Sequence, residues 1–232
     1  MVARNFIEAS TVLLDMDGTL LDLHYDSYFW NEYLPIRFAQ IHKKPTAEAT
    51  HFVHQLLVKH RGTLNWYCTD FWSQKFDLDI IELKSEIAHL IAYRPGTLAF
   101  LGQLSQMNKR VILTTNAHRD VISLKNAATD VLAHVDEVVS SHDLQSPKED
   151  QAFWHNMQSQ VGFDPLTTIF IDDSVKVLDA ARQYGIATNV HVATPNSKLK
   201  PDPSPDHPSI ISLMDLLHPS MTLSTTAEDQ KH

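Results

Sequence analysis

Residues 13–22 read LLDMDGTLLD. Leu13 and Leu14 close an apolar run, residues 11–14, that reads as a short strand buried on both faces. The run ends in two carboxylates, Asp15 and Asp17, followed at once by Gly18 and Thr19. Two like charges so close together raise the cost of ionising each other, so the pair needs a chemical reason. Residues i and i+2 at a strand end point the same way. One carboxylate is then placed to hold a cation and attack, and the next to handle protons, while Gly18 permits a sharp exit that a side chain would obstruct.

Composition narrows the classes that could use such a pair. With 232 residues and 43% hydrophobic content, the chain can bury a full core, as one large domain or one domain with an insertion. A formal net charge of −9 argues against nucleic acid or an anionic membrane as a partner, since either selects clustered lysine and arginine. A small anionic substrate requires only one local concentration of positive charge. The single cysteine, Cys68, excludes an internal disulfide framework and suits a reducing compartment. The start, MVARNFIEAS, lacks the apolar centre of a signal peptide, and no apolar stretch is long enough to span a bilayer. A soluble cytoplasmic protein is expected; the sequence assigns no oligomeric state.

Three later stretches resemble the first strand: RVILTT at 110–115, DEVVSS at 136–141 and TIFIDD at 167–172, with NVHVAT at 189–194 a weaker fifth. Amphipathic helical segments separate them, so the pattern predicts right-handed βαβ crossovers and an α/β, Rossmann-like parallel sheet covered on both faces. Residues 23–93 break the rhythm with helical periodicity alone. Asp79 and Glu82 have capping-box spacing ahead of Ile80, Leu83, Ile87 and Leu90, and a second helix runs from residue 46 to a stop at Gly62. The expected division is an α/β core of residues 1–22 and 94–218, an inserted all-helical unit of residues 23–93, and a flexible tail of residues 219–232. The proline-rich stretch at 194–209 reads as an extended surface loop, and the apolar IISLMDLL after it as a segment docked on the core.

Ligands of an open parallel sheet bind outside the carboxyl ends of its strands. There the first strand offers Asp15 and Asp17, the second Thr115 and Asn116, and the fourth Asp172 and Asp173, with Lys148 following the third. Several acidic oxygens at one edge repel one another unless a cation lies between them, and hard oxygen donors in small number suit Mg²⁺.

DMDGTLLD, LTTN, Lys148 and FIDDS, in that order, resemble the four motifs of the haloacid dehalogenase superfamily of phosphatases. The helical insert stands where that family carries a C1-type cap. The resemblance implies that Asp15 is the nucleophile and forms an aspartyl-phosphate. Asp17 would protonate the leaving alcohol and then deprotonate the hydrolytic water. Mg²⁺ would be held by Asp15, the backbone carbonyl of Asp17 and Asp172, with Asp173 adjacent or acting through water. Thr115 and the amide of Asn116 would bind phosphate oxygens, and Lys148 would neutralise charge between nucleophile and phosphate. The segments FWNEYLP, LNWYCTDFWS, TNAH and PKEDQ extend the resemblance to the bacterial purine 5′-nucleotidases that act on GMP and IMP. The implied substrate is a small phosphomonoester, a purine ribonucleoside 5′-monophosphate. A small sugar phosphate, for a phosphatase or phosphomutase, and a non-catalytic regulatory or binding role remain alternatives.

Each candidate also has a plainer reading. Asp172 and Asp173 can simply begin a helix that ends at Gly185. SPKE reads as a helix start, with Ser146 as cap, Pro147 at the first position and Glu149 completing a capping box. Lys148 would then oppose the helix dipole, which favours an anion site. Trp66, Tyr67, Phe71 and Trp72 form the densest aromatic stretch, serving as interior packing or, for one of the four rings, as a stacking surface for a base, with Trp66 the substrate-binding candidate. His118, just after TTN, joins Trp66 as a substrate-binding candidate. Cys68 reads as a small buried side chain, and the remaining histidines show no zinc-like spacing.

Overall fold

The computed structural model describes residues 2–217. The expected tail, 219–232, lies outside the described residues. A short helix, α1 (Val2–Glu8), precedes β1 (Thr11–Leu14). The elements between β1 and β2 are helical: α2 (His24–Tyr28), a π-helical turn over Phe29–Tyr33, α3 (Leu34–Ile41), α4 (Thr46–His60), α5 (Leu64–Tyr67), α6 (Thr69–Phe76), α7 (Ile80–Glu86), a 3-10 turn and α8 (Thr97–Gln106). Then follow β2 (Arg110–Thr115), α9 (Arg119–Thr129), β3 (Glu137–Ser140), α10 (Gln151–Val161), β4 (Thr168–Asp172), α11 (Val175–Tyr184), β5 (Thr188–Val192) and β6 (Ser209–Ile210).

The sheet is parallel throughout, in the order β3-β2-β1-β4-β5-β6. Strand β1 is central, with Thr11 opposite Arg110 on one side and Thr168 on the other. Burial on both faces explains its unbroken apolar run. Alternate residues serve opposite faces. Leu13, Ile112, Val139 and Phe170 pack with Phe153, Trp154 and Met157 of α10 and Val177, Leu178 and Ala181 of α11. Val12, Leu14, Leu113, Ile169 and Ile171 face the other way, into a cluster that continues through Phe6, Phe100 and Leu104 to Phe29, Phe38, Trp72 and Phe76 of the insert. The order reverses beside β1, so the carboxyl ends of β1 and β4 form the topological switch point where ligands bind.

Arg94 ties the returning chain to the sheet. It is buried and donates to the carbonyls of Thr19, Thr194 and Ile211 and to the Thr194 hydroxyl. The insert has its own aromatic centre, where the fully buried Trp72 stacks on Phe76 with centroids 5.3 Å apart and donates its indole N–H to the Trp66 carbonyl at 2.9 Å. Asp79 caps α7 through the Glu82 amide, as its spacing predicts.

Two local expectations need correcting. The helix assigned to SPKE begins instead at Gln151, with Asp150 at the cap position, and residues 146–150 form turns. Tertiary partners take the groups a capping box would have used: Asn116 Oδ1 accepts from the Lys148 amide at 2.9 Å, and Glu149 accepts from Asn116 Nδ2 and the Tyr67 hydroxyl. The stretch 194–209 is not wholly a surface loop, since Asn196, Ser204 and His207 are buried. The apolar segment after it does dock, but Ser209 and Ile210 first extend the sheet as β6, before Leu213 and Leu216 bury in a 3-10 turn. No helix among the described residues is long and apolar enough to cross a membrane.

Candidate active site

Asp15 follows β1 directly and is only 6% exposed, its amide bonded to the Ile171 carbonyl of β4. Gly18 makes the turn directly after Asp17. Its φ is +92°, and a Cβ there would lie 2.6 Å from Asp173 Oδ2 and 2.9 Å from Pro195 Cβ, so both conformation and space select glycine. From β4 come Asp172, fully buried, and Asp173 just beyond. Asp172 Oδ1 accepts the Ser174 amide at 2.7 Å, so this carboxylate starts α11 and faces the site at once. Ligand oxygens of Asp15, Asp172 and Asp173 all lie within 4.8 Å of one another.

Lys148 occupies the centre of this acidic group. Its ammonium donates to Asp15 Oδ1 at 2.5 Å, Asp172 Oδ2 at 2.7 Å and the Thr114 carbonyl at 3.0 Å. These three acceptors satisfy its three donors and account for a lysine that is 2% exposed. Burial alone would favour the neutral amine, but Asp15 and Asp172 outweigh it and raise the Lys148 pKa. Burial pushes Asp15 up from its ordinary 3.8 to about 6, with Lys148 opposing and Asp172 adding to the push. Asp173 is driven well above the ordinary range by burial and by the charges of Asp172 and Asp15. Among the described residues Asp173 forms no ion pair, so three carboxylates share one ammonium. That surplus of hard anionic oxygen fits a divalent cation such as Mg²⁺.

Asp17 has a separate partner, which sequence reading missed. Lys125 of α9, 1% exposed, bridges Asp17 Oδ1 and Asp26 Oδ2, and Asp26 Oδ1 takes a further 2.8 Å bond from the buried Lys84 of α7. A line of alternating charge therefore runs from Asp17 into the insert. Burial takes Asp17 from 3.8 to about 6, Lys125 opposing it and Asp26 and Asp15 reinforcing it. Asp26, with a lysine on each oxygen, is held below the usual carboxylate range despite its burial. Lysines at 84 and 125 look like ordinary helix-surface residues in the sequence; only the packing of α2, α7 and α9 reveals their role.

Above these groups opens a cavity of about 620 Å³ lined by Asp15, Asp17, Thr115, Asn116, Lys148 and Asp172, and on the insert side by Trp30, Asn31, His54, Arg61, Trp66 and Tyr67. The Thr115 hydroxyl accepts the Ala117 amide at 3.0 Å, and the Asn116 side chain is spent on positioning Lys148 and Glu149. Of the aromatic stretch, Trp66 and Tyr67 reach the cavity, whereas Trp72 is interior and Phe71 packs on His60. Arg61 lies over the Trp66 ring at 5.6 Å. His118 is absent from the lining: its ring turns away to Asp70, Asp120 and His142, because its Nδ1 accepts the Asp120 amide at the start of α9. His54 and Arg61 carried no local signal, and Trp30 and Asn31 stood only within the quoted FWNEYLP, because these side chains meet only through the packing of the insert.

Comparison with known proteins bears on the family and the fold. A family model described as haloacid dehalogenase-like hydrolase matches residues 9–185. The GMP/IMP nucleotidase YrfG of Escherichia coli (strain K12) is 39% identical over 203 residues, covering 88% of this chain and 91% of that protein, and the Shigella flexneri protein of the same name gives the same figures. Among solved structures, an HAD phosphatase from Thermococcus onnurineus superposes with a TM-score of 0.75 at 20% identity, covering 90% of this chain and 98% of that one. The L-2-haloacid dehalogenase of Xanthobacter autotrophicus gives a TM-score of 0.61 at 15% identity, covering 90% and 96%. At such identities the two structures speak for the fold alone.

Proposed function

Because the chain belongs to the haloacid dehalogenase-like hydrolases, we propose that it is a Mg²⁺-dependent 5′-nucleotidase of purine ribonucleoside monophosphates, with residues 23–93 acting as the cap that selects the leaving group. The observation that carries this reading is the shared cavity: Asp15 and Asp17 line its floor, and Trp30, Arg61 and Trp66 its insert side. A volume near 620 Å³ falls within the range of small-molecule sites and accommodates a nucleotide.

In this reading Asp15 attacks phosphorus and carries the phosphoryl group as an aspartyl-phosphate. Lys148 holds the nucleophile's oxygen in place and offsets charge on the phosphoryl group. Asp17, which keeps its proton to about pH 6, delivers it to the leaving O5′, and Lys125 stabilises the carboxylate left behind. Asp17 then takes a proton from the water that releases phosphate. The Thr115 hydroxyl and the Asn116 amide bind phosphoryl oxygens. Mg²⁺, held by Asp15, the Asp17 carbonyl, Asp172 and Asp173, would supply charge neutralisation to those oxygens. The indole of Trp66 offers a stacking face, and the Arg61 guanidinium beside it matches the O6 and N7 acceptors shared by guanine and hypoxanthine. Relatives named for GMP and IMP support the same choice.

The test is phosphate release from GMP, IMP, AMP and a panel of sugar phosphates at equal concentration with Mg²⁺. GMP and IMP should lead. A sugar phosphate turned over faster than every nucleotide would overturn the substrate assignment while leaving the phosphatase chemistry intact.

A further inference from the structure

Beside the cavity, on the line where insert meets core, three soft or borderline ligands converge from distant parts of the chain. Cys68 stands at the start of α6, His118 at the start of α9, and His142 in the loop after β3. One ligand atom from each lies within 4.8 Å of the other two. The two imidazoles meet edge to face with centroids 4.8 Å apart. His142 Nε2 is buried without a hydrogen-bond partner among the described residues, which is costly for a polar atom. Burial and the neighbouring His118 lower the His142 pKa and so favour the neutral ring that ligates metals. Asp70 Oδ2 lies 3.8 Å from His118 Nε2, on the solvent side of the group.

We propose that Cys68, His118 and His142 form a second cation site, for Zn²⁺ or a similar borderline divalent metal, that clips the helical insert to the core and leaves a fourth position for water. A thiolate and two imidazoles are donors that Zn²⁺ takes in tetrahedral coordination, whereas Mg²⁺ selects oxygen alone. Bonds of about 2.0–2.3 Å set ligand atoms about 3.5 Å apart. Loading therefore needs only a small closure of ligand atoms that already lie within 4.8 Å of one another. The site adjoins the cavity wall: Tyr67 precedes Cys68 in the chain, and its hydroxyl bonds Glu149, which is held in turn by Asn116. Fastening Cys68 to His118 and His142 thus fixes the wall carrying Trp66 and Tyr67 over the catalytic floor. The site is independent of the nucleotide reading, because none of its ligands lines the cavity.

The experiment uses the full chain, stripped of metal by chelation, kept reduced with a phosphine, and titrated with Co²⁺ in excess Mg²⁺. Cys68 is the only cysteine, so a thiolate-to-cobalt charge-transfer band can come from nowhere else. The wild type should develop this band to saturation at one metal per chain and melt at a higher temperature when loaded with Zn²⁺. Cys68→Ser should abolish the band. His142→Asn should weaken Zn²⁺ binding by about tenfold or more, with an unchanged far-ultraviolet circular dichroism spectrum. A wild type with no charge-transfer band overturns the proposal even if every variant misfolds. So does a band whose affinity is untouched by His142→Asn, since the metal would then be held by the thiolate without the histidine.

Discussion

Asp15 has its geometry fixed from two sides, by the Ile171 carbonyl on its amide and by Lys148 on its carboxylate. Asp15→Asn keeps the size and the backbone bond, so the fold should persist while phosphate release falls below detection, the amide being a poor nucleophile and a poorer ligand. Phosphate release comparable to wild type would remove Asp15 from the mechanism. Lys125 tests a different principle. It holds two carboxylates in a buried position, and Asp26 alone of the two has a second lysine in reserve. Lys125→Met leaves Asp17 uncompensated, and breaking a buried pair from one side costs about 3 kcal/mol or more. At about 2–4 °C per kcal/mol for a chain of this size, the melting temperature should drop by at least about 6 °C. Lys125→Arg should recover part of the loss. A melting temperature unchanged in Lys125→Met would mean the charge line is incidental.

At the scale of elements, the sheet was open to sequence reading and much of the insert's wall was not. Thr11–Leu14, Arg110–Thr115 and Thr168–Asp172 are buried on both faces, so nothing but an apolar run would serve there, and each run ends at the chemistry. Asp15, Lys148, Asp172 and Asp173 could be found because parallel strands deliver their ends to one edge. Lys125, Asp26 and Lys84 could not, because their meeting depends on how α2, α7 and α9 pack. Cys68, His118 and His142 are likewise joined only by the docking of α6 against two core loops. The SPKE turn misled for the same reason: Asn116 and Tyr67, far along the chain, claim the groups that local rules assign to a capping box. Within the insert, two tryptophans that look alike in sequence separate by environment. Trp66 faces the cavity, so Trp66→Leu should lower kcat/KM for GMP and IMP by about tenfold, the worth of one stacked base, and spare a small aliphatic phosphate ester. Trp72 is sealed inside, so Trp72→Leu should lower the melting temperature and depress all substrates alike. Identical profiles for the two variants would show that the cavity wall makes no base contact.

For the molecule as a whole, the acidic cluster sets a pH dependence with a definite sign. Asp15 and Asp17 keep their protons to about 6 in the fold but only to about 3.9 in an unfolded chain. The fold binds more protons between those values, so these two groups take stability away from the metal-free protein as pH rises from about 4 to about 6. His142 and His191, lowered by burial, oppose this just below about 6.5, while the stability that Asp26 contributes is lost only as pH falls below its ordinary 3.8. Mg²⁺ competes with the bound protons and relieves the repulsion once they are gone. Its stabilising effect should therefore be slight at pH 4.5 and full above pH 6, about 2.7 kcal/mol at a hundred times its Kd, or roughly 5–10 °C. Melting curves with and without Mg²⁺ at both pH values decide this; an equal shift at both would mean that the cation binds elsewhere. The placement of β1 at the middle of the sheet also orders events in time. Its neighbours begin at Arg110 and Thr168, so at about 5–20 residues per second the ribosome needs on the order of ten seconds to finish what it started. In that interval Val12, Leu13 and Leu14 have no sheet to enter, and the first apolar surface able to close is the aromatic centre of the insert. Asp15 leaves the ribosome early and meets Asp172 only after more than 150 further residues have followed, so a nascent chain holds the two carboxylates apart until β4 is made.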